Sequence, residues 1–341
     1  MSKKEYLNKK RKLDENKNKE KNESNKKKEN NKKIKDNIII GKTKVKKNNL
    51  IERIIDSFEY CDDFYDNYNI YNENEKKECE IFINNEKINF TIYYTFPKEG
   101  DYLITYKFKN LLKSTKSMFY GCSSLTSLDL SNFNTGNVKN MGSMFYSCKS
   151  LISLDLSSFN TENVIGMEYM FYHCKSLLSL DLSNFNASKA ISMRAMFINC
   201  CSLISLDLSN FNAKNLNDMG FMFSGCKSLL SLNLSNFNAI NLKNMESTFY
   251  ECKSIISLDL SSFDTKQVTN MKATFLHCYS LVSLDLSNFK TKKVRYMVNI
   301  FYNCNSLTLL ENSDFNNSNF VFKGDFGNTN SLLYRHKKYD V

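Results

Sequence analysis

Hydrophobic residues in the C-terminal two thirds of the chain recur at a constant interval of 26 residues. Two columns mark the interval, one of Phe and one of Cys, and no insertion or deletion interrupts either of them. The members are Phe119, Phe145, Phe171, Phe197, Phe223, Phe249, Phe275 and Phe301, and Cys122, Cys148, Cys174, Cys200, Cys226, Cys252, Cys278 and Cys304. One unit reads MFYGCSSLTSLDLSNFNTGNVKNMGS. A constant period over so long a stretch predicts a stack of structural repeats.

The first part of each unit predicts a β-strand. In the unit that contains Leu128, the spacing L-x-x-L-x-L-x-x-F is that of leucine-rich repeats, with Phe133 at the usual Asn or Cys position. From Ser127 to Ser131 polar and apolar residues alternate, which is typical of a strand with one buried face. We expect the leucines to face the interior and the Ser and Asp side chains to face solvent.

The second part of each unit predicts a short helix. Val138, Met141, Phe145 and Cys148 follow one another at the spacing of one helical face. Neither a strand nor a helix of this size can bury its apolar face alone, whereas stacked copies form continuous inward-facing columns. The fold class is therefore predicted to be an α/β solenoid, a leucine-rich-repeat stack of coils that each contain a strand and a short helix. The expected buried columns contain Phe119, Cys122, Leu125, Leu128, Leu130, Phe133, Met141, Phe145, Cys148, Phe171, Cys174, Phe197, Cys200, Phe223, Cys226, Phe249, Cys252, Phe275, Cys278, Phe301 and Cys304.

Two segments of different composition open the chain. Residues 1–48 form a Lys/Asn-rich tail, which we expect to be disordered because it has too few apolar side chains to form a core. Residues 49–77 begin with apolar residues at helical spacing and continue as a polar linker, so they predict a short amphipathic helix before the linker.

A third segment, residues 78–110, predicts a β-meander that caps the first repeat. Its three strand-like runs are Glu78–Ile83, Lys87–Phe96 and Asp101–Lys109. Turn-forming residues separate these runs, so we expect antiparallel pairing.

The repeats occupy residues 111–316, which correspond to about seven and a half units. In the last unit Leu310 keeps the register, but Asn312 stands where the third leucine is expected. Residues 317–341 are therefore predicted to form a C-terminal cap and tail, because an open end of the stack would expose apolar surface.

The unit resembles that of the BspA-like leucine-rich-repeat family, including its mycoplasma-lipoprotein type. The hallmark of that family is a run like MFxxCxSLxSLDLSNFNTxNVxNM, which this chain shows as MFYSCKSLISLDLSSFNTENVIGM at Met144–Met167. The resemblance covers the repeats and implies a leucine-rich-repeat fold. From the bacterial members it also implies a surface or secreted protein with a role in adhesion. The N-terminus departs from that pattern, because it shows neither a signal peptide nor a lipid-attachment cysteine.

The positive charge of the chain is concentrated in its N-terminal tail. The whole chain carries a net charge of +11, but residues 1–49 contain 19 Lys+Arg against 7 Asp+Glu, and the other residues contain 28 against 29. A nucleic-acid-binding domain carries its basic charge on the fold itself. Binding of nucleic acid or of an acidic membrane surface is therefore expected only through the tail, where Lys9–Lys12 is a short basic cluster.

The outward-facing positions of the predicted strands form a candidate binding face. Its residues are Ser127, Asp129, Ser131, Ser153, Asp155, Ser179, Asp181, Ser205, Asp207, Ser257, Asp259, Ser283 and Asp285. The uniformity of this face from repeat to repeat has two explanations. One is the repeated duplication of one successful unit. The other is selection for a flat acidic, hydroxyl-rich surface that binds a repetitive or basic partner.

The cysteines and histidines do not suggest a reactive centre. The repeat cysteines lie on the inward face, which favours buried thiols over disulfides. No Cys/His spacing of a metal site occurs, and His173, His277 and His336 are too scattered for a catalytic cluster. We therefore expect no enzyme activity, cofactor, metal or small-molecule substrate.

These patterns lead to three functional hypotheses. The first is a non-catalytic protein–protein interaction scaffold that binds a protein partner on the Ser/Asp-lined face. The second is a cell-surface adhesin of the BspA-like type, and the third is polyanion binding through the basic tail. The absence of a signal peptide predicts an intracellular location, in the cytoplasm or nucleus, whereas the family resemblance predicts the cell surface.

Overall fold

The computed structural model describes residues 37–56, 78–312 and 333–335 of the 341-residue chain. These ranges contain thirteen strands and no helix. The strands are β1 (Asn37–Val45), β2 (Leu50–Arg53), β3 (Cys79–Ile83), β4 (Glu86–Ile88), β5 (Tyr93–Phe96), β6 (Gly100–Phe108), β7 (Leu125–Asp129), β8 (Ser205–Asp207), β9 (Ser231–Asn233), β10 (Ser257–Leu258), β11 (Ser283–Leu286), β12 (Leu309–Asn312) and β13 (Leu333–Arg335).

One side of the repeats is a wall of parallel strand segments, which we call the strand wall (residues 151–156 and their equivalents at intervals of 26). The register pairs each residue with its equivalent in the next unit, as in the parallel pairs β8–β9, β10–β11 and β11–β12. Backbone bonds of the same kind continue between shorter segments, for example from the amide of Leu178 to the carbonyl of Ile152. The apolar and polar residues that alternate in the sequence thus face inward and outward in the strand wall, with Leu154 and Leu156 buried and Asp155 exposed.

The opposite side, which we call the turn wall (residues 141–148 and their equivalents), consists of consecutive turns. The predicted helix is wrong here. Ser143 and Ser147 adopt positive φ angles of 55° and 56°, and their equivalents in the other repeats do the same. Alternate amides bond within the turn, as from Cys148 to the Phe145 carbonyl, and the others bond to the next repeat, as from Phe145 to the Met170 carbonyl. Inter-repeat bonds therefore take the place of the bonds that a helix would make to itself.

Two columns of phenylalanine rings fill the space between the walls, and successive rings are stacked except for the tilted pair Phe133 and Phe159. In the column from Phe119 to Phe301, ring centroids of successive repeats are 5.4–6.0 Å apart. In the column from Phe133 to Phe263, they are 5.7–6.3 Å apart. All the residues expected to form the buried columns are buried. Each ring thus covers the next, so no repeat in the middle of the stack has a core of its own.

The N-terminal end of the stack is closed by strands that begin at Asn37. β1 pairs antiparallel with β7 of the first repeat on one side and with β6 on the other. On β6, Tyr106 lies against Phe119 with centroids 5.5 Å apart, and Phe108 lies against Phe133 at 5.7 Å. The cap therefore ends both aromatic columns. The predicted tail of residues 1–48 is wrong from residue 37 onward, because β1 belongs to the fold.

The pairing of the cap strands also differs from the prediction. The segment predicted as a helix after residue 49 contains strand β2, which pairs antiparallel with β5. β3 pairs with both β4 and β6, so the three strand-like runs are antiparallel as expected but do not form a meander. Ile54 and Ile55 are buried directly after β2, and the Tyr106 hydroxyl donates a hydrogen bond to the Ile54 carbonyl at 2.6 Å. Burial against the cap, and not helix formation, accounts for Ile54 and Ile55, whereas Ile51 is 63% exposed. The rest of the predicted helix and the predicted linker, residues 57–77, lie outside the described residues.

The parallel ladder continues beyond the predicted last repeat. β12 pairs with β11 in the usual 26-residue register, and Leu309 of β12 is then paired with Leu333 of β13. The predicted cap and tail at residues 317–341 therefore contains one more strand of the ladder. The remainder of that segment lies outside the described residues.

Candidate binding face on the strand wall

The Ser and Asp residues predicted as a binding face lie on the outer surface of the strand wall. All six aspartates are exposed, and the serines are exposed except Ser127 and Ser283, which are half-buried. Aspartates of adjacent repeats are held roughly 4.8 Å apart along the stack by the parallel backbone ladder, whereas Asp207 and Asp259 are two repeats apart because Asn233 lies between them. Ladder geometry therefore brings these residues together on one surface.

Each aspartate also has a local structural role, which the sequence analysis missed. The carboxylate accepts a hydrogen bond from the amide two residues further on, as from Ser157 to Asp155 at 2.9 Å and from Ser183 to Asp181 at 2.9 Å. Bonding to Ser157 and to Ser183 lowers the pKa of Asp155 and of Asp181. Asn233 makes the same bond with its side-chain oxygen, 3.1 Å from the Ser235 amide. The column therefore fixes the turn at the end of each strand segment, and a ligand is not needed to explain it.

A second feature of this surface escaped the sequence analysis: a row of aliphatic side chains three positions before the Asp column. We call it the aliphatic stripe, and its members are Ile152, Leu178, Ile204, Leu230, Ile256 and Val282. They are 42–53% exposed, although each directly follows a buried Leu or Ile. Their backbones are bonded between repeats, as from Leu230 to Ile204 at 2.8 Å and from Val282 to Ile256 at 3.0 Å. The stripe is therefore an evenly spaced apolar row on a rigid backbone.

A column of lysines borders the stripe on the side away from the aspartates. It comprises Lys149, Lys175, Lys227 and Lys253, three positions before the stripe in their repeats. Within this column, Nζ of Lys227 lies 3.3 Å and Nζ of Lys253 4.0 Å from the carboxylate of Glu251 on the turn wall. The lysines of the turn before the strand wall are thus followed by the aliphatic stripe and then by the acidic column.

The repeat cysteines point inward from the turn wall and are free thiols. Each thiol from Cys148 onward donates to the carbonyl of the Phe in the preceding repeat, as from Cys174 to Phe145 at 3.1 Å. Burial raises the pKa of the Cys174 and Cys252 thiols to about 12. Because the thiolate is the reactive form, these groups are inert at neutral pH. The one repeat-region thiol with a half-exposed position is Cys201, and Cys61 lies outside the described residues.

The two described histidines lie on the outside of the turn wall and contact amides, not thiols. Nε2 of His173 lies 2.8 Å from Nδ2 of Asn199, and Nδ1 of His277 lies 3.2 Å from Nδ2 of Asn303. Burial lowers the pKa of His173. Both histidines adopt left-handed φ angles, so their column is a turn position where Gly, Asn and His recur. His336 lies outside the described residues.

Among the described residues, no cluster of three or more His, Cys, Asp or Glu side chains has the arrangement of a metal site. The same ranges contain no helix with the length and apolar character needed to cross a membrane.

The fold and this surface define a sheet-rich repeat protein whose units share one backbone ladder. The chain belongs to the family described as "Mycoplasma protein of unknown function, DUF285", whose model matches residues 113–231 and 226–332. No curated protein matches the chain. A solved structure of the Toll–Spatzle complex of Drosophila is similar at 20% identity with a TM-score of 0.31, over 60% of this chain and 28% of that chain.

Proposed function

We propose that the protein is a non-catalytic interaction scaffold whose partner binds the strand wall. The aliphatic stripe carries this proposal. Its six side chains are each about half exposed and form one contiguous row, and large contiguous apolar patches on monomeric proteins often mark binding sites. The face is preformed because the inter-repeat hydrogen bonds fix the backbone of every stripe residue.

The positions of the nucleophilic and basic side chains support a role without catalysis. The thiol of Cys174 bonds a carbonyl in the interior, whereas the adjacent His173 contacts Asn199 outside. A Cys–His pair needs hydrogen-bond contact between thiol and imidazole, and burial raises the pKa of the thiol instead of lowering it. The adjacency of Cys and His in the sequence therefore does not produce an activated nucleophile.

The finer architecture that we propose is a leucine-rich-repeat-like solenoid of the BspA-like type. The match to the 26-residue unit and the one-to-one register between repeats support it. Stacked-repeat proteins commonly bind partners along such a continuous surface. Binding along several repeats, and not within one pocket, is accordingly the mode that we expect here.

Affinity capture with the full-length chain tests the proposal. We would compare the wild type with Ile204→Lys on the stripe and with Ile240→Lys, a control whose side chain is 51% exposed against 49% for Ile204 but lies outside the stripe. We expect a specific protein to be retained by the wild type and by Ile240→Lys and lost from Ile204→Lys. Retention of the same proteins by all three chains would refute a role for the stripe.

A further inference from the structure

Along the chain, the aliphatic stripe lies three residues after the lysine column and three residues before the aspartate column. In the repeat around Leu178, Lys175 precedes the stripe by three residues and Asp181 follows it by three. The repeats around Ile152 and Ile256 show the same order, with Lys149 and Lys253 before the stripe and Asp155 and Asp259 after it. An axis drawn along the stripe therefore has a positive column on one side and a negative column on the other.

This arrangement is self-complementary under one particular symmetry operation. A two-fold rotation about an axis parallel to the stripe brings a second copy face to face with the first and keeps every repeat at the same height. It also exchanges the two sides, so that Lys175 of each copy faces Asp181 of the other. A two-fold axis perpendicular to the stack would instead place lysines opposite lysines. We propose that the strand wall binds a second copy of this chain in a parallel dimer with its two-fold axis along the aliphatic stripe.

The spacing of the stripe supports this choice of partner. Successive stripe residues are one parallel-strand interval apart, roughly 4.8 Å. Both walls are hydrogen bonded between the same pairs of repeats, which holds the repeats to a common spacing on the strand wall and the turn wall. A second copy has the same interval, so every aliphatic residue can meet its own counterpart. In such an isologous contact, one favourable pairing is repeated at each level of the stack.

The available area is also adequate for a stable dimer. Eight rungs at the parallel-strand spacing, and the five residue steps of the strand wall, give a face of roughly 600 Å², to which the bordering lysines add. Specific interfaces bury about 600–1,000 Å² on each partner. An apolar centre with a charged rim is the usual composition of such an interface. The inference rests on the proposed function and names the partner.

Sedimentation velocity of the full-length protein between about 1 and 100 µM, in low and high salt, tests the inference. For the wild type we expect a monomer–dimer equilibrium, with a Kd that rises with salt because the rim is charged. Ile204→Lys places two like charges on the symmetry axis, and we expect it to raise the Kd by about tenfold or more. Ile240→Lys should leave the Kd unchanged. Thermal melts check that each variant is folded.

A charge exchange tests the orientation of the two copies. Lys175→Asp and Asp181→Lys each place like charges opposite one another in the proposed dimer, so each should weaken it by a few fold. The double variant Lys175→Asp/Asp181→Lys restores opposite charges across the axis and should recover affinity relative to either single variant. Asp181→Lys and the double variant both lose the turn bond to Ser183, so their difference reports the interface and not the fold.

The possible outcomes separate this inference from the proposed function. A wild type that stays monomeric at 100 µM, or a dimer that is insensitive to Ile204→Lys, overturns self-association. A double variant no better than the single variants overturns the parallel orientation that defines the proposal. In each of these cases, stripe-dependent capture of a different protein would still support the interaction scaffold.

Discussion

The two walls of each repeat have the same structural role but different backbone conformations. Both must present apolar side chains to a shared interior and join their neighbours by hydrogen bonds. The strand wall does so with extended residues, in which inward and outward positions alternate. The turn wall does so with consecutive turns, in which residues with positive φ at every fourth position reverse the chain direction. An inward pattern at helical spacing can therefore be produced without a helix.

The difference also separates the chemistry of the walls. The turn wall carries the inward thiols, which donate to carbonyls and hold the repeats together from within. The strand wall carries the outward charges and the aliphatic stripe. Perturbations of the turn wall should therefore change stability, whereas perturbations of the outer strand wall should mainly change binding.

Alkaline pH should give the largest effect and act through the turn wall. Burial raises the pKa of Cys174 and Cys252 to about 12, and those of Cys148, Cys200 and Cys226 are also raised. An unfolded thiol has a pKa of about 8.5, so above that pH the unfolded state loses protons that the folded state keeps. The stabilisation is complete below about pH 8.5 and is lost as the pH rises towards the folded pKa. The free energy of unfolding should fall by about 1.4 kcal/mol per pH unit for each such thiol.

Urea titrations between pH 7 and 10 measure this slope. The double variant Cys174→Ala/Cys252→Ala removes two of the groups, so its free energy of unfolding should depend less steeply on pH than that of the wild type. An equal slope in both proteins would show that the buried thiols are not responsible.

Loss of one ring from the aromatic column should give the next largest effect. Phe197 is fully buried, with its ring centroid 5.5 Å from that of Phe171 and 5.7 Å from that of Phe223. Phe197→Ala should lower the free energy of unfolding by about 3–5 kcal/mol. Hydrogen exchange should show lost protection in the neighbouring repeats, because each repeat contacts only its neighbours. Ile240→Ala, at an exposed site, is the matched control and should change stability by less than about 0.5 kcal/mol. A small, uniform loss of protection would contradict the prediction.

Substitution of a glycine distinguishes the turn wall from a helix, because the sign of the resulting change in stability differs between the two. Gly225 has a φ of 72°, and a Cβ there would lie 2.2 Å from Oδ1 of Asn199. Gly225→Ala should therefore destabilise the protein by about 1–2 kcal/mol through backbone strain alone, with a further loss if Asn199 must move. In a helix the same change would stabilise by about 1 kcal/mol.

Ser147→Gly is the counterpart of that test, because Ser147 occupies the same column with a φ of 56°. Glycine relieves the left-handed strain there, so we expect no loss of stability in chemical denaturation. If Gly225→Ala stabilised the protein while Ser147→Gly destabilised it, the turn wall would have to be helical.

The stack itself could be predicted from the sequence because the interval of 26 residues and the strand alternation are both direct consequences of the fold. The helix could not be distinguished from turns, since Met141, Phe145 and Cys148 face inward in either case. The column that contains Gly121, Asn199 and Gly225 was the available signal, because these residue types favour positive φ. β1 was missed because its lysines resemble the preceding tail, although Ile39 and Val45 alternate with outward-facing residues.

The candidate binding face was predicted only in part, for a similar reason. The Asp column stood out because its charge repeats, but its bond to the amide two residues on depends on a turn whose geometry the sequence does not show. The aliphatic stripe was not identified from the sequence, because each of its residues directly follows a buried Leu or Ile. Only the structure shows that Leu151 is buried while Ile152 is half exposed. Composition cannot distinguish these neighbouring apolar residues.

The smallest effect is expected on the outer strand wall. It shows whether the Asp column stabilises the protein through its turn bond or through its charge. Asp155→Ala removes the acceptor of the Ser157 amide and should cost no more than about 1 kcal/mol, because the site is exposed. Asp155→Asn should cost less, since Asn233 accepts the same bond in its own repeat. Bonding to Ser157 lowers the pKa of Asp155, so any advantage of the charged acceptor exists above the unfolded pKa of about 3.9 and disappears as the pH falls through the lower folded value. Urea denaturation of the wild type, Asp155→Ala and Asp155→Asn at pH 7 and pH 3 measures the contribution of the turn bond and that of the charge. Equal losses in Asp155→Ala and Asp155→Asn at pH 7 would show that charge, and not the turn bond, determines the contribution of this column to stability.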